Sequence, residues 1–130
     1  LFGTARPLEL HRMLADGPEY LILKRGGRGT LVIPGGYGRP LRIPALPLSE
    51  MGMPVVNTVG CGDVFLGTYA SALSSGTSRE AALLEAAAAA GYNAAQADTR
   101  GAPDRTTLET VMEKARSLGF ETQELENDDE

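Results

Sequence analysis

Residues 55–67 read Val-Val-Asn-Thr-Val-Gly-Cys-Gly-Asp-Val-Phe-Leu-Gly. The apolar start at residues 54–56 predicts a strand, the glycines predict a tight turn, and the pattern after Cys61 predicts a helix. Backbone N–H groups at the start of a helix lack intrahelical acceptors, and the helix dipole attracts negative charge to them. Because Gly60 and Gly62 would let the backbone close around a phosphate oxygen, the segment predicts an anion site.

Asp63 falls in the first turn of the predicted helix, beside the predicted anion site. A carboxylate at this place can accept the proton of a substrate hydroxyl while that hydroxyl attacks phosphorus. The alternative is a plain strand-to-helix turn in which Asp63 only complements the helix dipole. The residues on either side of the Gly-Cys-Gly-Asp tetrapeptide favour the first interpretation.

The residues from Asn57 to Phe65 resemble the second signature of the ribokinase-like (PfkB) carbohydrate kinases, which is usually written Asp-Thr-x-Gly-Ala-Gly-Asp-x-Phe. The match falls at Thr58, Gly60, Gly62, Asp63 and Phe65. The resemblance covers nearly the whole chain but only the C-terminal part of the family's pattern. It implies an α/β fold, namely the C-terminal, nucleotide-binding part of a ribokinase-like fold, with a central sheet covered by helices.

The resemblance also implies a function, which is ATP-dependent phosphorylation of a sugar or sugar-phosphate hydroxyl, with ATP and Mg²⁺ as cofactors. Asp63 would act as the general base. The backbone of Gly60, Cys61 and Gly62 would form the anion hole for the transferred phosphoryl group. Thr58 would contribute to nucleotide binding, and no residue is assigned as a metal ligand.

The alternative is a truncated, non-catalytic nucleotide-binding module that lacks the substrate-binding half. Full members of the family are more than twice as long as these 130 residues, and the segment that starts at Leu1 resembles the middle of a protein. We therefore expect a fragment. Relatives dimerise through a lid in the other half, so the resemblance implies a homodimer only through regions absent here.

Two positions of the signature depart from the family's pattern. Asn57 replaces the usual first Asp, and in this respect the chain resembles phosphosugar kinases, such as 1-phosphofructokinase or tagatose-6-phosphate kinase, more than ribokinase. Cys61 replaces the usual Ala. We interpret Cys61 as a small packing residue, and the alternative is a reactive thiol activated by the helix N-terminus.

A second glycine segment lies upstream. The apolar run at residues 20–23 predicts a central strand buried on both faces, and residues 30–33 predict a second strand. As a plain hairpin connection, the glycines between them need no ligand. The arrangement of strand, Gly26-x-x-Gly29 and strand resembles the family segment that lies along the nucleotide, which implies that Gly26 and Gly29 bind the cofactor.

Three helices are predicted after the signature: one from Cys61 that Gly76 ends, one after a capping box at residues 77–80, and one after a capping box at residues 106–109. The second helix contains an alanine run, which indicates close packing. Alternatively, its small side chains leave room for the adenine, which the resemblance places beside the end of this helix and the following loop. This implies nucleotide contacts from Asn93 and Gly101. A surface helix is also predicted after Pro7, with no chemistry assigned to His11.

Composition limits the remaining classes of function. The chain has a net charge of −5, one cysteine and one histidine, which excludes an internal disulfide and cysteine or multi-histidine metal clusters. The negative net charge argues against a surface that binds nucleic acid. The apolar runs are too short to predict a membrane-spanning helix. We expect one kinase-domain portion over residues 1–120, a disordered acidic tail over 121–130, and a cytoplasmic location.

Overall fold

A computed structural model of the chain describes residues 20–34, 39–97 and 102–125. It contains both strands and helices, which confirms the α/β class. The strands are β1 (Tyr20–Lys24), β2 (Thr30–Pro34), β3 (Leu41–Ile43) and β4 (Gln123–Glu124), and the helices are α1 (Cys61–Ser74), α2 (Arg79–Ala94) and α3 (Arg105–Arg116). The chain divides into two compact units, one comprising Leu1–Pro44 with Thr122–Glu130 and the other comprising Ala45–Glu121. The helix predicted after Pro7 lies outside the described residues.

The first unit contains an antiparallel sheet with the strand order β1-β2-β3-β4. A 3-10 turn at Gly26–Arg28 joins β1 to β2, and both Gly26 (φ 58°) and Gly29 (φ 85°) adopt the positive φ that favours glycine. The prediction that residues 20–23 form the central buried strand is wrong for the described sheet. β1 lies at its edge and is only half-buried, whereas β2 has a strand on each side and is buried.

Within the acidic tail predicted to be disordered (121–130), Gln123–Glu124 instead form the strand β4. Glu124 forms an ion pair with Arg39 at 3.3 Å, and Arg42 donates a hydrogen bond to the Gln123 side chain at 2.9 Å. Leu125 packs beside the buried pair formed by Leu31 and Ile33. Strand pairing uses main-chain groups that every residue carries, and the two arginines offset the acidic composition. Residues 126–130 lie outside the described part of the chain.

The second unit contains the three helices and a hydrophobic core that includes residues from α2, α3 and the segment before α1. Its buried members are Leu46, Met51, Ala88, Ala89, Leu108, Val111, Met112, Ala115 and Phe120. The alanines of α2 permit close approach. At Gly91 an added Cβ would lie only 2.7 Å from the Cβ of Leu46, so this glycine is required by the packing. No helix in the described ranges is long and apolar enough to cross a membrane.

The helix ends follow local sequence signals, although two N-caps are not the residues predicted. Ser78 rather than Thr77 caps α2, by accepting the Ala81 N–H at 3.3 Å. Asp104, before the predicted box at residues 106–109, caps α3 by accepting the Thr107 N–H at 2.8 Å. A carboxylate is a stronger acceptor than a hydroxyl, and this hydrogen bond lowers the pKa of Asp104.

The predicted stops are confirmed at two glycines. Gly76 follows α1 and Gly119 follows α3, and both have positive φ (86° and 90°). In each case the N–H of the next residue returns to a carbonyl in the last turn of the helix: Thr77 bonds to Ala72, and Phe120 bonds to Ala115, both at 3.0 Å. This is the Schellman arrangement, and it satisfies carbonyls that the end of a helix leaves free.

Candidate functional site

The segment before α1 is held by the end of α2. Residues 54–56 do not form the predicted strand. The N–H groups of Val56 and Asn57 both donate to the carbonyl of Ala94, at 2.7 and 3.0 Å. The N–H groups that would pair with a neighbouring strand are thus bonded to the end of α2. These two bonds fix the path of the chain into the signature.

The signature itself forms a tight turn. The Asn57 side chain accepts the N–H of Val59 at 2.9 Å, and the carbonyl of Thr58 accepts the N–H of Cys61 at 3.3 Å. Gly60 is the N-cap of α1 and has left-handed backbone angles (φ 85°, ψ −8°). A residue with a Cβ is strained in this conformation, so the turn requires glycine at position 60.

The N-terminus of α1 carries no side-chain cap, in contrast to α2 and α3. Within residues 20–34, 39–97 and 102–125, the N–H groups of Gly62 and Asp63 have no acceptor. They therefore remain available to an anion, and the dipole of this fourteen-residue helix favours negative charge there.

The Asp63 side chain is exposed in the first turn of α1. Among the described residues its carboxylate has neither a hydrogen-bond partner nor an ion-pair partner. The carboxylate and the two free N–H groups lie in one helical turn. This arrangement can bind an oxyanion while a carboxylate beside it accepts a proton.

Asn93 and Cys61 form a polar contact behind this turn. The Asn93 side chain is fully buried, and its Nδ2 donates to the Cys61 sulfur at 3.4 Å and to the Val59 carbonyl at 3.5 Å. The half-buried Cys61 thiol lies 4.0 Å from the carbonyl of Asn57 as a weak donor. Asn93 therefore contacts the turn through its side-chain nitrogen, and the nucleotide contact predicted for it stays a prediction.

The predicted site residues belong to two different units of the chain. Thr58, Gly60, Gly62 and Asp63 come together with Asn93 in the helical unit. Gly26 and Gly29 belong to the sheet unit, where the N–H of Gly29 donates to the carbonyl of Gly26 at 3.0 Å. Gly101 and His11 lie outside the described residues.

Two further features bear on ligand binding. A groove of about 320 Å³ is lined by residues 48, 49 and 52–55, and none of the predicted site residues lines it. In the described part of the chain, no group of three or more His, Cys, Asp and Glu side chains is arranged to hold a metal ion.

Comparison with known proteins identifies relatives. The family description "pfkB family carbohydrate kinase" matches residues 8–105. Among solved structures, ribokinase from Arabidopsis thaliana, complexed with ribose and ATP, is 26% identical over 81% of this chain and 32% of its own, with a TM-score of 0.69. Ribokinase from Thermotoga maritima is 26% identical over 82% of this chain and 34% of its own, with a TM-score of 0.70.

A third similar structure is ribokinase from Cryptococcus neoformans in complex with ADP, which is 30% identical over 73% of this chain and 28% of its own, with a TM-score of 0.60. No curated protein matches the chain. The likeness confirms the predicted ribokinase-like fold. The chain spans about a third of the length of these solved relatives.

Proposed function

Because the chain belongs to the pfkB family of carbohydrate kinases, we propose that it supplies the phosphate-binding turn of an enzyme that phosphorylates a hydroxyl of a sugar or sugar phosphate. The observation that carries the proposal is the uncapped N-terminus of α1, where the Gly62 and Asp63 N–H groups have no acceptor among the described residues. This terminus coincides with the family signature.

Asp63 is the general base in this proposal. It accepts the proton of the acceptor hydroxyl, which makes that oxygen a better nucleophile toward the γ-phosphorus of ATP. Its exposed carboxylate has no partner within the described ranges, and it is therefore free to approach a substrate. Such a base contributes about 10²–10⁴-fold to the rate.

The backbone at Gly60, Cys61 and Gly62 forms the turn of the anion hole, and the Gly62 and Asp63 N–H groups are its donors, because the Cys61 N–H is bonded to the Thr58 carbonyl. Helix N–H groups stabilise the charge that spreads over the oxygens of the transferred phosphoryl group, and they need no reorganisation during the reaction because α1 holds them in place. The left-handed conformation of Gly60 (φ 85°) turns the chain into the helix at this point. Main-chain donors cannot be removed by changing a side chain, so this contribution depends on the geometry of the turn.

ATP and Mg²⁺ fit the groups that are present. The free N–H groups of Gly62 and Asp63 suit a phosphate of ATP. The described residues contain no group of three or more His, Cys, Asp and Glu side chains arranged as a metal site, and the proposal assigns no side-chain ligand to Mg²⁺. Bound Mg²⁺ would offset phosphate charge.

The second candidate is a non-catalytic nucleotide-binding module. Four large apolar residues in and beside the signature turn are strongly exposed: Val55 (63%), Val56 (54%), Val59 (63%) and Leu66 (61%). Several exposed large apolar side chains in one short segment are typical of a surface that another part of a protein covers. Together with the short length relative to the solved ribokinases, this supports a chain that binds nucleotide without completing the reaction alone.

One experiment separates the two candidates. The chain is incubated with magnesium-ATP and a pool of sugars and sugar phosphates, ADP release is followed by a coupled assay, and ATP binding is measured by calorimetry. A kinase binds ATP and releases ADP only when the acceptor pool is present. A binding module binds ATP without acceptor-dependent release, and a chain that does neither contradicts both candidates.

A further inference from the structure

Asn93 is a buried polar residue in an otherwise apolar part of α2. Its side chain is 0% exposed, and its neighbours Ala88, Ala89 and Ala94 are buried as well. A buried amide is unfavourable unless its groups are hydrogen-bonded. The residue therefore needs an explanation other than core packing.

The contacts of Asn93 determine the orientation of its amide. The carbonyl of Val59 can only accept a hydrogen bond, so the group that faces it at 3.5 Å must be the Nδ2 donor. The same nitrogen donates to the Cys61 sulfur at 3.4 Å. The Oδ1 atom has no partner in the described structure. A buried acceptor without a partner destabilises a fold, so packing alone would favour an apolar side chain at this position.

Both contacts of Asn93 are made to the turn that begins α1. Val59 and Cys61 are the two neighbours of Gly60, whose left-handed conformation directs the chain into the helix. Asn57 holds the same two residues, by accepting the Val59 N–H at 2.9 Å and facing the Cys61 thiol at 4.0 Å. The turn is thus held by one side chain within the signature and by one from α2.

We propose that Asn93 is a positioning residue for the anion-binding turn. By holding the Val59 carbonyl and the Cys61 sulfur, Asn93 restricts Gly60 to its left-handed conformation and keeps the Gly62 and Asp63 N–H groups available to a phosphate. The consequence for phosphate binding rests on the proposed function, whereas the consequence for the order of the turn does not.

The matched variants are Asn93→Leu and Gln96→Ala. Leucine has the same branched arrangement of heavy atoms as asparagine, with larger methyl groups in place of the amide, and it removes the donor without leaving a cavity. Gln96 also carries a side-chain amide near the end of α2, but it donates to the Tyr92 carbonyl at 3.4 Å rather than to the turn. Asn93→Ala serves as a second variant if leucine prevents folding.

The experiment measures backbone order by ¹⁵N relaxation and ADP affinity by amide chemical shifts. In Asn93→Leu, the order parameters of Val59, Gly60 and Cys61 are expected to fall from about 0.85 toward about 0.6. ADP affinity at Gly62 and Asp63 is expected to fall about tenfold. Gln96→Ala changes neither quantity.

Unchanged order in the turn of Asn93→Leu, or of Asn93→Ala where leucine prevents folding, overturns the proposal. Reduced order with unchanged ADP affinity also overturns it, because the turn would then not depend on Asn93 for phosphate binding. If the unmodified chain does not bind ADP, the proposed function fails, and the order parameters alone decide whether Asn93 positions the turn.

Discussion

The side-chain nitrogen of Asn93 lies 3.4 Å from the sulfur of Cys61, although 32 positions separate the two residues in the chain. The contact joins the last turn of α2 to the first turn of α1. The neighbouring residue Ala94 accepts main-chain hydrogen bonds from Val56 and Asn57. The conformation of the signature therefore depends on the end of α2 as well as on its own glycines.

Gly60→Ala is expected to destabilise the fold, because alanine is strained at φ 85°. The expected loss in the free energy of unfolding is about 1–2 kcal/mol. Gly67→Ala is the matched control, since Gly67 lies within α1 and a Cβ there meets nothing within 4 Å. That change is expected to stabilise the helix by about 0.5–1 kcal/mol. The urea midpoints of the two variants should therefore shift in opposite directions from that of the unmodified chain. Shifts in the same direction would contradict the left-handed conformation of Gly60.

Gly91→Ala tests the close approach of α2 to Leu46. Within a helix, alanine normally gains about 1 kcal/mol over glycine. Here the new Cβ would lie 2.7 Å from the Leu46 Cβ, which cannot rotate away. Overpacking of this kind costs about 1–3 kcal/mol. We expect net destabilisation in a denaturant titration, and a gain in stability would show that the contact is looser than described.

The cap at Asp104 predicts a pH dependence of stability. The Thr107 N–H donates to this carboxylate at 2.8 Å and lowers its pKa in the folded state. A group whose pKa is lower in the folded state contributes stability above its unfolded pKa, about 3.9 for Asp, and the contribution is lost as the pH falls through the folded pKa. Asp104→Asn keeps an acceptor but does not titrate. The thermal midpoint of the unmodified chain should exceed that of the variant at neutral pH, and this difference should shrink below about pH 4. A difference that is constant with pH would contradict the prediction.

Alkylation of Cys61 tests whether its packing matters to the turn. The thiol is half-buried between Asn93 Nδ2 and the Asn57 carbonyl, and an added carbamidomethyl group would displace at least one of them. Iodoacetamide treatment is expected to lower ADP affinity about tenfold or more. Cys61→Ala removes the only cysteine and is the control, so its affinity should not respond to the reagent. Equal affinities of the treated and untreated chains would show that the thiol can be modified without moving the turn.

Local signals in the sequence account for most of the helical unit. The stops at Gly76 and Gly119 were predictable because a left-handed residue after a helix strongly favours glycine. The caps of α2 and α3, Ser78 and Asp104, lie one and two residues from the positions that the capping-box pattern indicates, because several adjacent Ser, Thr and Asp residues can serve as caps and the sequence does not rank them.

Features that depend on distant contacts were not predictable in the same way. Residues 54–56 have the composition of a strand, but the Ala94 carbonyl takes the main-chain donors of Val56 and Asn57. The strand β4 forms in an acidic segment through main-chain pairing with β3, and Arg39 and Arg42 contact its side chains. Asn93 was visible as a polar residue in an alanine-rich helix, but its burial and its contact with Cys61 required the fold.

In the proposed mechanism, Asp63 acts as the base of a phosphoryl transfer. The most direct test of this role is to measure acceptor-dependent ADP release by the unmodified chain, Asp63→Asn and Glu80→Gln. Glu80 is the matched control, since it is an exposed acid in the first turn of α2. We expect Asp63→Asn to lower turnover about 10²–10⁴-fold with nearly unchanged ATP affinity, and Glu80→Gln to leave turnover unaltered. Turnover in Asp63→Asn equal to that of the unmodified chain would remove Asp63 from the mechanism, and acceptor-dependent release by none of the three proteins would contradict the kinase function of this chain.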